Sequence, residues 1–317
     1  MRYKEILSEI SSSLALSAME LIQIAAKSPY TYKVYSIDKK TGGERTIAQP
    51  ARETKFLQRE LIGKLFNELP VHEAATAYRD GSSIKKNAWA HKDNRYLSKF
   101  DFKNFFESIT EGDLELHFKK HFGEQEFSTN FIRFISRVSC YYNPPQGLTL
   151  SIGAPTSPLL SNSVMYEFDC LIFDWCNERG LTYTRYADDL TFSSSTKGQA
   201  FEIEGFIEGV LAKIEYPRLS INNKKTLHVS MSGKRRVTGL IISNDGKVSL
   251  GRDRKRLISA MIHRYATGSL TGDELSRLQG LLGFAEDVEP LFCSKMRAKY
   301  GIKVISEIFQ FRKLKNN

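Results

Sequence analysis

Cysteine is scarce in this chain of 317 residues, and what there is forms no pattern. Cys140, Cys170, Cys176 and Cys293 make no C-x-x-C pair and have no histidines at matching spacing. A zinc site is therefore not expected, and reduced thiols in a cytosol are the default. No run of about 18 apolar residues occurs, so no membrane span is predicted. The start, Met1-Arg2-Tyr3-Lys4-Glu5, leads into Ser11-Ser12-Ser13-Leu14-Ala15-Leu16, which is too broken by polar residues for a signal peptide. Internal repeats and low-complexity segments are absent as well. A cytoplasmic protein is the expectation.

The chain is long enough to bury a sizeable core in two or three subdomains. A hydrophobic fraction of 41% with 11% aromatics marks it as globular rather than disordered. Lysine and arginine total 46 against 36 acidic residues, a formal charge of +10. That surplus points to a polyanionic partner, most simply nucleic acid, although a basic protein without one would share it.

Helical periodicity is predicted over about 4–27, with Ile6, Leu7, Ile10 and Leu14 on one side. Strands follow at 30–37 and 45–48 around the turn Thr41-Gly42-Gly43-Glu44, and then a helix through Leu57, Leu61 and Leu65. Another strand ends at Asp101, and its continuation Phe102-Lys103-Asn104-Phe105-Phe106 turns toward a helix. A helical region is expected over 113–140, a loop over 143–158, and one long apolar helix over 159–177, stopped by Gly180. A helix over 199–214 and strand-like segments near 227–229 and 237–242 come next. Beyond Gly251, Arg252, Arg254, Lys255, Arg256, His263 and Arg264 crowd one helix, and Thr271-Gly272-Asp273-Glu274 has the form of a capping box. The tail Arg312-Lys313-Leu314-Lys315 is basic. The whole reads as an α+β body followed by a helical subdomain.

Chemistry concentrates at Tyr186-Ala187-Asp188-Asp189, set between Leu181–Arg185 and Leu190–Ser193. Those flanks read as short strands, so two adjacent acids fall at a hairpin tip, where a cation would hold them. With magnesium, phosphoryl or nucleotidyl transfer is the matching reaction. Asp101 closes a separate strand. Two divalent ions ~4 Å apart need carboxylates from at least two strands to bridge them. Asp101 and Asp188 suffice as bridging ligands, with Asp189 the weaker third. Taken singly, Asp101 is equally a helix N-cap and Asp188-Asp189 an ordinary polar turn.

Several segments together resemble reverse transcriptases. Tyr186-Ala187-Asp188-Asp189 looks like their metal-binding motif, and Phe100–Phe106 resembles their first acidic motif. Gly153-Ala154-Pro155-Thr156-Ser157-Pro158-Leu159-Leu160-Ser161-Asn162 is similar to the stretch between them. Asn87-Ala88-Trp89-Ala90-His91 and Val237-Thr238-Gly239 resemble the Asn-Ala-x-x-His and Val-Thr-Gly elements of bacterial retron reverse transcriptases. The matches run in the right order from about residue 30 to 245.

The resemblance implies a right-hand polymerase. Its fingers would span 1–95 with 111–152, its palm, an antiparallel sheet with helices, 96–245, and its helical basic thumb 246–317. It implies Asp101, Asp188 and Asp189, with the Phe102 backbone carbonyl, as holders of two Mg2+ ions, or Mn2+ in their place. Arg45 would grip the triphosphate and Phe106 would exclude a ribose 2′-hydroxyl. Lys224 or Lys225 would protonate pyrophosphate, with the choice between them open. Lys33, Lys39 and Lys40 are weaker nucleotide candidates. The family's Pro-Gln-Gly-Ala-Pro pattern is altered here. Either Gln146 keeps the nucleotide role before an insertion, or Ile152 replaces it. Asn87, His91, Arg252, Arg254, Arg256, His263 and Arg264 would contact RNA.

The implied activity is copying part of a structured non-coding RNA into single-stranded DNA. Priming from an RNA 2′-hydroxyl would give branched RNA–DNA (msDNA), within an antiphage defence system. The cognate RNA, its DNA product, deoxynucleotides and a separate effector polypeptide would be the partners, with no membrane. Rival readings are a group II intron-like or stand-alone defence reverse transcriptase, a non-catalytic RNA-binding scaffold, and a palm-like nucleotide cyclase.

Overall fold

The computed structural model describes residues 2–38, 42–123 and 125–311. Lys39, Lys40 and the basic tail from Arg312 lie outside the described residues. The chain divides into two compact units, Met1–Ser82 with Ser98–His228, and Ser83–Leu97 with Val229–Asn317. Residues 83–97 and 229–245 therefore cluster with the C-terminal helices, a division different from the three segments implied by resemblance. Among the described residues no helix is long and apolar enough to cross a membrane.

In the larger unit, the helix predicted over 4–27 is two, Arg2–Leu14 and Ala18–Lys27. Ala15 turns into the left-handed region at φ 52°, and Ser17 and Glu20 form a capping box that starts the second helix. The antiparallel hairpin Tyr32–Asp38 with Glu44–Pro50 sets Arg45 opposite Ile37. The helix Arg52–Lys64 follows it. The segment expected to be helical over 113–140 is again two helices, Glu111–Phe122 and Thr129–Ser139. Phe131, Ile132, Ile135 and Val138 bury one face of the second.

The loop expected from 143 contains a short hairpin, Tyr141–Asn143 with Gly147–Thr149. The apolar run from 159 breaks at Met165 into Ser157–Val164 and Tyr166–Glu178. Gly180, at φ 62°, ends it as the sequence predicts. The central sheet has the order Thr182–Tyr186, Asp189–Ser194, Tyr96–Asp101, Leu227–Val229. One apolar core, including Phe66, Phe100, Phe102, Phe118, Phe168 and Phe192, packs this unit.

His117 is buried in that core, its ring nitrogens 2.7 Å from the Ser163 hydroxyl and 3.3 Å from that of Tyr216. Burial, with His121 and Lys120 nearby, pushes its pKa down to about 3. The unfolded chain, with an ordinary value near 6.5, therefore takes up the proton first. Stability is full above about pH 6.5 and is lost as pH falls toward 3, by about 1.4 kcal/mol per unit for this one group. Urea unfolding at pH 7, 6 and 5 should show this decline, and His117→Gln should flatten it. Equal slopes in the two proteins would refute the assignment.

The smaller unit contains the short helix Ile84–Ala90 and a sheet of Arg235–Val237, Leu240–Ile242 and Val248–Ser249. Helices Arg252–Ala266, Gly272–Val288, Pro290–Tyr300 and Ile302–Gln310 complete it. Thr271 and Glu274 form the predicted capping box. Val237, Leu240, Ile258, Leu278, Leu282 and Ile308 lie in its own core.

Candidate active site

Tyr186 pairs with Asp189, so Ala187 and Asp188 form a two-residue hairpin turn. Such turns favour positive φ, and Ala187 has φ 56°. Beneath the turn lies Arg185, fully buried. Its Nη2 is 2.5 Å from Asp169 Oδ2, and its Nε donates to the same carboxylate. Its Nη1 donates to Asn162 Oδ1 (3.1 Å) and to the Ala187 carbonyl (3.2 Å). The Tyr183 hydroxyl also donates to Asp169, at 2.8 Å. A buried guanidinium thus fixes the carbonyl immediately before Asp188. Sequence reasoning passed over Arg185, Asp169 and Asn162. The available signal was a lone arginine inside a strand, whereas Asp169 is one of three acids, with Glu167 and Asp174, in the helix pattern over 159–177.

Asp101 ends the strand beside the one that Asp189 begins. The Phe102 N–H donates to the Asp188 carbonyl at 3.1 Å, which draws the two acidic segments together. Ladder bonds to Ser220 and Asn222 use Lys103 N–H and the Asp101 carbonyl, the groups flanking the Phe102 carbonyl. The Lys225 ammonium bridges both Asp101 oxygens at 2.7 and 2.9 Å. Lys225, rather than Lys224, is the lysine that reaches the acid.

Burial, and then the charge of Asp101, push the Asp188 carboxyl up to about 6. Asp189 instead pairs with Lys99 at 3.1 Å. Successive strand residues point to opposite faces, so adjacent acids at a strand start diverge. Among the described residues no three Asp, Glu, His or Cys side chains converge as a metal-holding group. The structure brings Asp101 and Asp188 together and sets Asp189 on a lysine.

Of the three phenylalanines after Asp101, Phe102 and Phe105 are buried, while Phe106 is only partly covered and packs edge-on against Phe105. Arg45 is exposed on its hairpin strand, as is Lys33 on the partner strand. That strand is docked by Ala48, whose N–H donates to the Ile152 carbonyl at 2.9 Å and whose own carbonyl accepts from Ser151. Gly153 lies against it at φ 123°, where a Cβ would stand 3.0 Å from the Ala48 oxygen. Ile152 is thus the residue directly before the Gly-Ala-Pro turn, on the segment that pairs with Ala48. Gln146 is exposed on the turn of a separate hairpin.

The candidate RNA contacts lie in the smaller unit. Asn87 and His91 are buried, so the expectation that they touch RNA is corrected here: both side chains face the protein interior. Asn87 Nδ2 donates to Thr238 Oγ1 at 3.5 Å, and Thr238 in turn donates to the Ile84 carbonyl at 3.1 Å. The two signature elements therefore pack on each other, with Thr238 and Gly239 at the turn of the hairpin. Burial pushes His91 down to about 3, neutral at pH 7. Arg252, Arg256 and His263 are exposed. Arg264 is exposed but forked onto Glu274 at 2.7 and 2.9 Å, and Arg254 lies over the Phe284 ring at 5.0 Å. Arg252, Arg254 and Arg256 border a cavity of about 1030 Å³ together with Lys234, Arg236 and Lys255.

An acidic hairpin turn beside a strand that ends on a further acid, within one four-stranded sheet, is the arrangement of a polymerase-type palm. Residues 37–242 match the reverse transcriptase (RNA-dependent DNA polymerase) family. The chain is 38% identical to the retron Ec83 reverse transcriptase of Escherichia coli, over 88% of this chain and 90% of that one. It is 35% identical to the retron Ec73 enzyme of the same organism, over 86% and 88%. For the retron Ec86 enzyme the figures are 31%, 93% and 90%. The chain belongs to the retron reverse transcriptases. It is an RNA-directed DNA polymerase with an α+β fold.

Proposed function

We propose that this polymerase copies part of a structured non-coding RNA into single-stranded DNA, beginning from a 2′-hydroxyl of that RNA, so that a branched RNA–DNA forms. The likeness to relatives named as retron reverse transcriptases supports this reading. By the same likeness the complex works in the bacterial cytoplasm as part of antiphage defence, with a separate effector protein. The observation that carries the chemistry is the pairing of Asp101 with Asp188 beside Lys225.

That donor set fits a hard divalent cation, Mg2+ or Mn2+. It offers oxygen donors alone, and burial and then the charge of Asp101 raise the Asp188 carboxyl, so a cation there would be favoured. Bound there, two such ions would lower the pKa of the attacking hydroxyl and neutralise the triphosphate. Asp101 and Asp188, with the Phe102 carbonyl, hold that charge, and Asp189 supports the turn through Lys99. Arg45 offers a planar fork to the triphosphate of the incoming nucleotide. The attacking hydroxyl gives its proton to solvent water, and its oxygen bonds to the α-phosphorus as the bond to pyrophosphate breaks. Lys225, released from Asp101, gives a proton to that pyrophosphate. Phe106 lies under the sugar and selects deoxynucleotides, while either Gln146 or Ile152 lines the nucleotide side. In the smaller unit, exposed Arg252 and Arg256, with Arg254, His263 and Arg264, meet RNA phosphates, where backbone and shape dominate recognition.

The test is to purify the protein with its copurifying RNA, sequence that RNA, and supply labelled deoxynucleotides with Mg2+. One structured RNA and labelled DNA that stays joined to it through denaturation are expected. Labelled DNA that separates from a mixture of unrelated transcripts would refute the branched-product reading.

A further inference from the structure

Tyr78 stands out although no motif contains it. The segment Ala74–Ala77 is tied down residue by residue. Ala75 forms a parallel bridge with Arg185. The Arg185 N–H donates to the Ala74 carbonyl at 2.7 Å, and the Thr76 N–H donates to the Arg185 carbonyl at 2.7 Å. Asn162 Nδ2 donates to the Ala77 carbonyl at 2.8 Å, and the Ser82 hydroxyl to that of Thr76 at 2.6 Å. The segment is thus an added edge on the strand that carries the Asp188 turn. Asn162, which also receives Arg185, joins the two.

Straight after this anchored run, Tyr78 adopts φ 58°. A bulky side chain in the left-handed region is an outlier that persists only where the surroundings impose it, and such residues cluster at functional sites. The ring has no core to fill: 52% of the residue is exposed. Its centroid lies 6.5 Å from that of Tyr186, tilted by 38°. Burial, and then the charges of Asp188 and Tyr186, raise the hydroxyl's pKa, with Arg45 opposing. An open aromatic face, held by the network that sets the turn, thus lies beside Tyr186, the residue that opens the Ala187-Asp188 turn.

We propose that Tyr78 is a substrate-contact residue. With Tyr186 it forms an aromatic wall on which a nucleotide at the polymerisation site packs by its sugar and base. The inference rests on the polymerase reading above. A primer-terminal nucleotide and an incoming deoxynucleotide share this chemistry, and the kinetics separate them.

The test uses poly(rA)–oligo(dT) with dTTP, comparing wild type with Tyr78→Phe and Tyr78→Gly. Glycine relieves the backbone strain while removing the ring, so the variant should fold at least as well by thermal unfolding. Loss of an aromatic packing surface should nevertheless lower kcat/KM roughly ten- to a hundred-fold, whereas Tyr78→Phe should keep most of it. A rise confined to the KM for dTTP assigns the wall to the incoming nucleotide. Weaker binding of the hybrid with unchanged KM for dTTP assigns it to the primer terminus. If wild type extends the primer and Tyr78→Gly matches it in every parameter, the inference is overturned and the polymerase reading stands. If wild type makes no DNA under any divalent ion, the polymerase reading falls and takes the inference with it.

Discussion

Asp188→Asn is expected to abolish DNA synthesis while leaving RNA bound. Of the three acids in the two motifs, Asp188 is the one whose charge is least compensated. Asp101 has Lys225 and Asp189 has Lys99, whereas burial and its neighbours' charge push Asp188 up to about 6. Asparagine keeps the shape and removes the charge, so the loss falls on cation holding and not on folding. Removing a single preorganised electrostatic group from an active site costs roughly 10²–10³-fold. If Asp188 holds the ions proposed above, its loss should reach or exceed the upper end of that range. Primer extension with Mg2+ measures the loss, and a gel-shift assay with the copurified RNA measures binding. Synthesis within a few-fold of wild type would remove Asp188 from the site. Asp189→Asn should be milder, because its carboxylate is held by Lys99 rather than by the pair. Equal loss in the two variants would mean that Asp189 turns toward the metals when substrate is bound.

Arg185→Met should be the most destabilising change in the larger unit. It would leave the Asp169 carboxylate with the Tyr183 hydroxyl and no cation, in a place where both side chains of the present pair are completely buried. Breaking a buried ion pair by removing one partner costs about 3–5 kcal/mol, chiefly because the other charge stays uncompensated. The double variant Arg185→Met with Asp169→Leu should recover much of that loss, since buried pairs replaced by apolar residues are often near neutral. Activity should not recover with it. The Ala187 carbonyl would still lack its donor, and Asn162 would lose the partner that aligns it. Urea unfolding and primer extension on the same preparations separate the two effects. A single variant within 1 kcal/mol of wild type would show that Asp169 is satisfied some other way.

The sequence by itself determined the local features. Asp188 and Asp189 lie at a hairpin tip because the flanking runs have strand character, and the structure contains that hairpin. Gly180 and the box at Thr271 and Glu274 bounded helices for reasons confined to four or five residues. Apolar periodicity placed most helices but ran through their interruptions, at Ala15 and at Met165, since it says nothing of backbone breaks within a stripe. The Ser17-x-x-Glu20 pattern was a legible sign of the first break.

Only the tertiary structure decided which distant groups meet. Sheet order set Asp101 beside the Asp188 turn, and strand alternation sent Asp189 to Lys99. The chain's return through residues 220–225 chose Lys225 over Lys224. Packing of the helix Ile84–Ala90 on the hairpin turn at Thr238 buried Asn87 and His91, which the sequence had offered to RNA. The same holds for Arg185 on Asp169 and for Tyr78 beside Tyr186. Each is a contact between residues far apart in the chain or on different elements. Local propensity and periodicity describe a residue's own element, whereas burial and partner are fixed by how elements cross, which a single sequence does not encode in any short window.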